Sequence, residues 1–199
     1  ALGVAAVGLL RFNQALADTP AERFIAELLV DRLNARQVLV GPDFCFGNQR
    51  QGDLAMLQRV GRLSGFSAEA VIPQQHQGQR ISSSLIRADL QHGRLQEAAR
   101  KLGRAYCIEG KVVRGRQLGR TLGYPTANIR LQRKKPALMG IYATWIHGIG
   151  QQPIAGVSSL GTRPTVNGRE PLLEAHLFDF DDDLYRRRIR VEFVCKLRD

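Results

Sequence analysis

The sequence predicts an α/β region followed by an antiparallel β region, and two observations carry that prediction. The first half of the 199 residues alternates strand-like and helix-like apolar patterns, an order that implies a parallel sheet covered by helices. From Tyr106 onward the apolar segments become short, and turn residues separate them at the spacing of an antiparallel barrel. We place the boundary near Gly103 and Arg104, which predicts domains of residues 1–103 and 104–199.

Four segments define the α/β region. Thr19 and Pro20 predict the start of a helix, because Thr19 can cap it and Glu22 completes a capping box. The other three segments are a strand at residues 37–40, a helix at residues 53–64 and a strand at residues 66–72. In parallel sheets ligands bind beyond the carboxyl ends of the strands, which are followed here by residues 41–52 and 73–84.

Three serines open a further predicted helix. Ser82, Ser83 and Ser84 lie at its start, with Arg80 just before them and Arg87 one turn inside. Free backbone amides, the helix dipole and two guanidinium groups together favour a phosphate. The alternative is an ordinary serine cap beside surface arginines.

The chain is predicted to remain helical over residues 91–102 and then to turn into β structure. Five segments have strand character: residues 107–113, 140–146, 154–158, 172–180 and 189–196.

A glycine-rich basic stretch at residues 110–128 is the densest chemical signal. Its glycines at positions 115, 119 and 123 stand between basic residues, so that backbone amides could approach a phosphate closely. The spacing matches neither a Walker loop nor a dinucleotide fingerprint. Thr126 and Asn128 face the same side of an extended chain, where their oxygens could hold Mg²⁺ together with nucleotide phosphates. A flexible basic hairpin is the alternative.

A second signal lies near residues 174–180, where period-two geometry places Glu174, His176 and Phe178 on one face. A carboxylate can act as general base toward a hydroxyl group within hydrogen-bond reach. A Glu–His pair on a solvated strand is the alternative, and the three aspartates at 181–183 predict a turn. Arg163, in a loop after a further strand, could reach a phosphate or a ring edge, or could fix the turn.

The charge balance points to anionic ligands. The net charge is +11, and residues 104–199 hold 17 basic against nine acidic side chains. A nucleic-acid-binding barrel is therefore an alternative function. However, stacking platforms need exposed aromatic rings among the basic residues, and residues 114–120 contain none.

Two classes of protein are disfavoured. The longest apolar run, residues 1–10, is far shorter than the ~20 residues of a spanning helix, so we expect no membrane contact. The three cysteines are far apart and odd in number, which argues against a disulfide framework or a zinc site and suits a cytoplasmic protein. The sequence does not predict the oligomeric state.

Six motifs in a fixed order resemble those of the bacterial bifunctional riboflavin kinase/FMN adenylyltransferase family, also called FAD synthetase. They are the G-x-D-F-x-F-G-x-x-R-x-G loop at residues 41–52, the I-S-S-[ST]-x-I-R motif ending at Arg87, the G-R-x-L-G-x-P-T-A-N signature at residues 115–128, Gly140-Ile141-Tyr142, G-x-R-P-T at residues 161–165 and E-x-H-x-x-D-F-x-x-D-L-Y at residues 174–185. The resemblance implies a partial Rossmann-like nucleotidyltransferase domain followed by a six-stranded antiparallel riboflavin kinase barrel. The implied reactions are ATP-dependent phosphorylation of riboflavin to FMN and, in the parent protein, adenylylation of FMN to FAD.

The resemblance also implies roles for individual residues. In the kinase half, Glu174 is the expected catalytic base, and Thr126 and Asn128 are the expected ligands of Mg²⁺. The expected ATP contacts are Gly110, Gly115, Gly119, Arg120, Gly123 and Pro125. The expected flavin contacts are Arg163, His176 and Phe178. In the adenylyltransferase half, the expected phosphate and flavin contacts are Asp43, Phe46, Arg50, Arg80, Ser83, Ser84 and Arg87.

The sequence departs from the family pattern in several places. It lacks the H-x-G-H loop that binds the transferring phosphate, so we expect a chain truncated at both ends whose residues 1–103 do not adenylylate FMN. The family's usual C-terminal helix, which packs on the kinase barrel, is expected to be absent as well. Ser158 and Ser159 stand where an asparagine is common. Arg186 stands where the family has glycine, and it restricts the turn if that position needs a positive φ.

Overall fold

A computed structural model describes residues 3–115, 125–131, 135–165 and 168–199, leaving aside the side chains of residues 163–165, 168 and 169. The chain divides into two compact units between Gln74 and Gln75. Among the described residues, the helices are all too short or too polar to cross a membrane.

The first unit is a small α/β arrangement. Its strands β1 (Gln37–Val40) and β2 (Ser67–Ala70) pair in parallel, with Val38 opposite Ala68. This pairing confirms the predicted parallel order. The helical segments are α1 (Gln14–Ala17), α2 (Ala21–Phe24), its π-helical continuation Ile25–Arg32, a 3₁₀ turn at Asn48–Arg50 and α3 (Leu54–Ser64). The buried core consists of Ala21, Ile25, Phe46, Met56, Leu57, Phe66 and Ala68.

The predicted helix at residues 53–64 is confirmed, whereas the predicted helix cap at Thr19 is wrong. Asp53 caps α3 by accepting a hydrogen bond from the Met56 amide at 2.8 Å, and Gly65 ends that helix in the left-handed conformation. Thr19 does not cap α2. Its hydroxyl instead donates to the Ala15 carbonyl at 2.8 Å. This acceptor belongs to the short helix α1, which the sequence did not predict.

The second unit is a barrel with two helices packed on it. Its elements are β3 (Gln75–His76), β4 (Gln79–Arg80), α4 (Ser83–Gln91), α5 (Leu95–Leu102), β5 (Cys107–Val113), β6 (Thr126–Ile129), β7 (Gly140–His147), β8 (Ile154–Thr165), β9 (Gly168–Leu177) and β10 (Arg188–Arg198). Over the described residues, six strands close a barrel in the order β10-β5-β6-β9-β8-β7, with antiparallel neighbours. The predicted six-stranded antiparallel barrel is confirmed.

The predicted continuous helix over residues 91–102 is wrong, because the chain reverses between α4 and α5. Gly93 takes a φ of +71°, which favours glycine and breaks the helix. The reversal brings Arg94 and Lys101 onto the buried carboxylate of Asp89, with N···O distances of 2.9 and 2.6 Å. An ion-pair cluster therefore ties the two helices together.

Alternate residues of the barrel strands fill one core. Its members include Ile129, Tyr142, Ile146, Leu160, Leu173, Ala175, Ile189 and Val191. Leu90, Leu95 and Ala98 from the two helices join the same core. These helices thus pack with the barrel although we place the domain boundary after them, near Gly103 and Arg104. The place of that boundary stays a prediction.

Candidate active site

Strands β6 and β9 bring the predicted kinase residues together. In their antiparallel register Thr126 lies opposite His176, and Asn128 lies opposite Glu174. Directly opposed residues of two strands have Cβ atoms about 4.5–5.5 Å apart. The alternate residues Ala127 and Ala175 are buried in the barrel. All four polar side chains therefore share the outer face of two neighbouring strands.

Glu174 occupies the middle strand of three. Its neighbours are Asn128 on β6 and Ser159 on β8. The side chain is half-buried, and within the ranges that the structure describes its carboxylate makes no hydrogen bond or ion pair. Such a group can accept a proton from a hydroxyl group bound over this face.

Asn128 is buried next to the backbone at Gly115, with 6% of its surface exposed. Its Nδ2 lies 3.5 Å from the Thr126 carbonyl oxygen, at the long limit of a hydrogen bond. A Cβ atom at Gly115 would lie 2.5 Å from both Nδ2 and Oδ1 of Asn128. Only glycine therefore lets the chain pass this close to the carboxamide.

His176 makes a hydrogen bond to the backbone and a contact with an aromatic ring. Its Nδ1 lies 2.9 Å from the Pro125 carbonyl oxygen, which can only accept, so the ring nitrogen donates. The ring of Phe178 meets the His176 ring edge to face, with centroids 5.8 Å apart. Phe178 itself is 44% exposed. His176, for which we predicted a contact with flavin, thus has a hydrogen-bond partner within the chain, the Pro125 carbonyl.

A cavity of about 590 Å³ adjoins Thr126 and Asn128. Its volume is in the range of small-molecule sites. It is lined by Val112, Pro125, Thr126, Ala127, Asn128, Leu177, Phe180, Asp181, Asp182, Asp183, Leu184 and Tyr185. Glu174, His176 and Phe178 are not among these residues. No site role is predicted from the sequence for Asp181, Asp182, Asp183 and Tyr185, although these lining residues follow shortly after the E-x-H strand.

The donor atoms of this cavity suit Mg²⁺. Hydroxyl, carboxamide and carboxylate oxygens are the ligands that hard divalent cations prefer. Among the described residues, no group of three or more His, Cys, Asp or Glu side chains is arranged to hold a metal ion. Mg²⁺ commonly takes only one or two protein ligands and completes its shell with substrate phosphates and water. Thr126 and Asn128 therefore fit the ion as a partial ligand set.

The wall formed by residues 180–185 is fixed to the barrel. The Asp183 carboxylate accepts from the Tyr185 amide at 2.7 Å, and the Arg186 amide donates to the Val112 carbonyl at 3.0 Å. The Arg114 guanidinium lies 5.4 Å from the centre of the Tyr185 ring. Arg186 has a φ of +67°, the left-handed conformation that the family's glycine adopts without strain.

The remaining predicted kinase residues divide into two groups. Gly119, Arg120, Gly123 and the side chain of Arg163 lie outside the described residues. Gly110 lies within β5, where a Cβ atom would meet the Ile129 Cγ2 at 2.5 Å and the Arg130 carbonyl oxygen at 2.8 Å. Close strand packing accounts for this glycine, and its contact with ATP stays a prediction.

The predicted adenylyltransferase residues fall in both units. Asp43, Phe46 and Arg50 belong to the first unit, and Arg80, Ser83, Ser84 and Arg87 belong to the second. Phe46 is only 7% exposed and packs against Phe24 and Phe44 at centroid distances of 5.3 and 5.6 Å. Core packing accounts for Phe46, and its contact with flavin stays a prediction.

Arg87 lies over the first turn of α4. Its Nε donates to the Ser83 carbonyl at 3.0 Å, and its terminal nitrogen lies 3.5 Å from the Ser84 hydroxyl. Ser82 provides the helix cap by accepting from the Leu85 amide at 3.2 Å. A cation and a hydroxyl group thus stand at this helix start, as predicted. Their contact with a phosphate stays a prediction.

Comparison with known proteins finds two family matches along the chain. The sequence model of the riboflavin kinase family matches residues 102–199, and that of the FAD synthetase family matches residues 1–85. The chain is 42% identical over 196 residues to the bifunctional riboflavin kinase/FMN adenylyltransferase of Escherichia coli K12, covering 98% of the chain and 63% of that protein. The chain is also 42% identical over 188 residues to the protein of the same name from Haemophilus influenzae, covering 94% of the chain and 61% of that protein.

A solved structure of a macrolide-efflux protein from Streptococcus pneumoniae is also similar. It superposes with a TM-score of 0.73 at 30% identity and covers 94% of the chain and 60% of that protein. The chain therefore spans about three fifths of the length of the relatives it matches. It belongs to the bifunctional riboflavin kinase/FMN adenylyltransferase family, with the riboflavin kinase part at residues 102–199 and a FAD synthetase part at residues 1–85.

Proposed function

We propose that the barrel transfers the γ-phosphoryl group of ATP to the 5′-hydroxyl of riboflavin and so forms FMN. The observation that supports this most is the register of Asn128 opposite Glu174, since a carboxylate there could accept the proton of a hydroxyl group next to oxygens that suit a cation. The names of the relatives carry the same activity. In the parent protein, we propose a second step that adenylylates FMN to FAD.

Two residues of the chain would hold Mg²⁺ in this reaction. The Thr126 hydroxyl and the Asn128 carboxamide oxygen would bind the ion next to the cavity. When bound, Mg²⁺ neutralises charge on the nucleotide phosphates. Gly115 would keep the chain close to Asn128 without displacing its carboxamide, and Pro125 would line the nucleotide side of the cavity.

Glu174 would act on the acceptor hydroxyl. Its carboxylate takes the proton as the riboflavin 5′-oxygen forms a bond to the γ-phosphorus, and the bond from that phosphorus to the bridging oxygen of ADP breaks. The proton then passes to solvent from the half-buried carboxyl group. FMN and ADP are the products, so that atoms and charges balance without a further reactant.

Residues 1–103 contain no H-x-G-H sequence, and we propose that they do not adenylylate FMN by themselves. Cys45, Cys107 and Cys195 are free thiols, which fits the proposed cytoplasmic location. Small molecules are the proposed partners, and no comparison supports the alternative of a nucleic-acid-binding module.

The test is riboflavin phosphorylation with ATP and Mg²⁺, with FMN separated by chromatography. Glu174→Gln is compared with Glu109→Gln, which alters an exposed glutamate paired with Arg188 at 3.3 Å on the outer surface of the barrel. We expect FMN from the unmodified chain and from the Glu109 variant, and a loss of about 10²–10⁴-fold in the Glu174 variant. A well-folded chain that neither forms FMN nor binds riboflavin and ADP contradicts the proposal. A steep salt dependence of oligonucleotide binding would then favour the alternative module.

A further inference from the structure

We propose that His176 is a positioning residue of the phosphoryl-transfer site, which fixes the peptide leading into Thr126 by donating to the Pro125 carbonyl. This inference rests on the proposed function and deepens it. It assigns His176 to the metal and nucleotide side of the reaction, whereas the resemblance implies contact with the flavin.

The hydrogen bond between His176 and Pro125 has a definite direction. The acceptor is the Pro125 carbonyl oxygen, 2.9 Å from Nδ1, so the proton stands on Nδ1 in the neutral ring. The hydrogen bond therefore runs from the His176 ring to the backbone at Pro125.

The hydrogen bond from His176 holds the peptide group between Pro125 and Thr126. The Pro125 carbonyl and the Thr126 amide belong to one planar peptide unit, and the proline ring fixes the φ angle that precedes it. Thr126 is the first residue of β6 and lies opposite His176 in the strand register. The same histidine thus holds Thr126 through the adjacent peptide and stands beside it across the strands. The direction of the Thr126 side chain follows from this backbone.

The ring of Phe178 holds the His176 ring in place. Phe178 directly follows the last residue of β9, and its ring meets the imidazole edge to face at an interplanar angle of 72°. Such pairs favour one ring orientation over others. The imidazole is thereby held with Nδ1 toward Pro125. His176 is absent from the cavity lining, which agrees with an action through Pro125 and Thr126, both of which line it.

The test compares three substitutions of His176 that place a hydrogen-bond donor at the position of Nδ1, at the position of Nε2, or nowhere. In His176→Asn, the amide nitrogen is as many bonds from Cα as Nδ1 and can still reach the Pro125 carbonyl. In His176→Gln, the amide nitrogen corresponds to Nε2, and in His176→Ala there is no donor. Thermal unfolding of each variant shows whether it folds, and the Asn–Gln pair decides the question if the alanine variant does not.

Two readouts separate positioning from flavin contact. Steady-state kinetics give kcat/KM for MgATP and the KM for riboflavin. Calorimetric titration gives the affinity for ADP with Mg²⁺ and with EDTA. We expect His176→Ala to lower kcat/KM for MgATP by about 10–10²-fold, and to weaken ADP binding only when Mg²⁺ is present. His176→Asn should recover most of both losses, and His176→Gln should not.

The outcomes distinguish this inference from the proposed function. An unmodified chain that forms no FMN counts against the kinase proposal, while the calorimetric comparison still tests His176. Unchanged MgADP affinity in His176→Ala and His176→Gln overturns the inference. An increase confined to the riboflavin KM also overturns it and supports the flavin contact.

Discussion

Gly115 lies against the carboxamide of Asn128, so close that a single methyl group at Gly115 would overlap both of its polar atoms at 2.5 Å. The contact joins the chain just after β5 to Asn128 on β6, which is a predicted ligand of Mg²⁺. It gives the glycine a role that does not depend on a bound nucleotide. The backbone at Gly115 therefore limits where the Asn128 carboxamide can lie.

Gly115→Ala should therefore displace the Asn128 carboxamide and impair the kinase. We expect kcat/KM for MgATP to fall by about 10-fold or more, since displacements near 1 Å at an active site can cost 10²-fold. The control is Gly150→Ala, because a Cβ atom at Gly150 meets nothing within 4 Å. Wild-type kcat/KM in the Gly115 variant, with the control also unchanged, would contradict the role assigned to this glycine.

Arg186 should be a site where glycine stabilises the protein. Its φ of +67° costs an L-residue roughly 1–2 kcal/mol, and glycine avoids this cost. Part of the stabilisation is offset because glycine has greater conformational freedom in the unfolded chain. Arg186→Gly is therefore expected to raise the free energy of unfolding by about 1 kcal/mol relative to Arg186→Ala. Both variants lack the guanidinium, so the difference between them in urea denaturation isolates the effect of the Cβ atom. Equal midpoints for the two variants would show that the turn carries no strain.

Asp89 should make the stability of the second unit depend on acid pH. The hydrogen bond from Lys101 lowers the pKa of the Asp89 carboxyl below its ordinary value of 3.8, and the Arg94 hydrogen bond acts in the same direction against the opposing effect of burial. For a carboxyl with a lowered pKa, the stabilisation is present above the unfolded-state value. It is lost as the pH falls through the folded-state value.

Replacing Asp89 by Asn should remove this dependence and destabilise the fold. Lys101, whose side chain is only 9% exposed, would lose its closest carboxylate, and breaking a buried pair in this way costs on the order of 3 kcal/mol. Urea denaturation between pH 3 and pH 7 measures both effects. The control is Glu109→Gln, whose exposed pair with Arg188 should contribute about 0–1 kcal/mol. Equal losses in the two variants would contradict a special role for the Asp89 cluster.

The sequence predicted the faces of the active-site strands but not their pairing. Period-two geometry is local, so Thr126 and Asn128 were correctly placed on one side of an extended chain, as were Glu174 and His176. Register between strands depends on packing of distant residues, and only the structure shows Asn128 opposite Glu174. The reversal at Gly93 was missed for a similar reason. The partners that stabilise it, Asp89 and Lys101, are 12 residues apart.

The Thr126 hydroxyl provides the most direct test of the proposed metal site. Thr126→Val keeps the branched shape that suits β6 and removes only the oxygen, and its exposed position avoids a large packing change. We expect the Mg²⁺ concentration for half-maximal activity to rise by about 10-fold or more, with the riboflavin KM unchanged, because the ion loses one of two protein oxygens. Thr126→Ser restores a hydroxyl at the same atom and should recover most of the Mg²⁺ affinity. Chelation with EDTA should abolish FMN formation in all three proteins. If the valine variant kept the Mg²⁺ dependence of the unmodified chain, Thr126 would not be a ligand, and Asn128 with the carboxylates of residues 181–183 would be the next set to test.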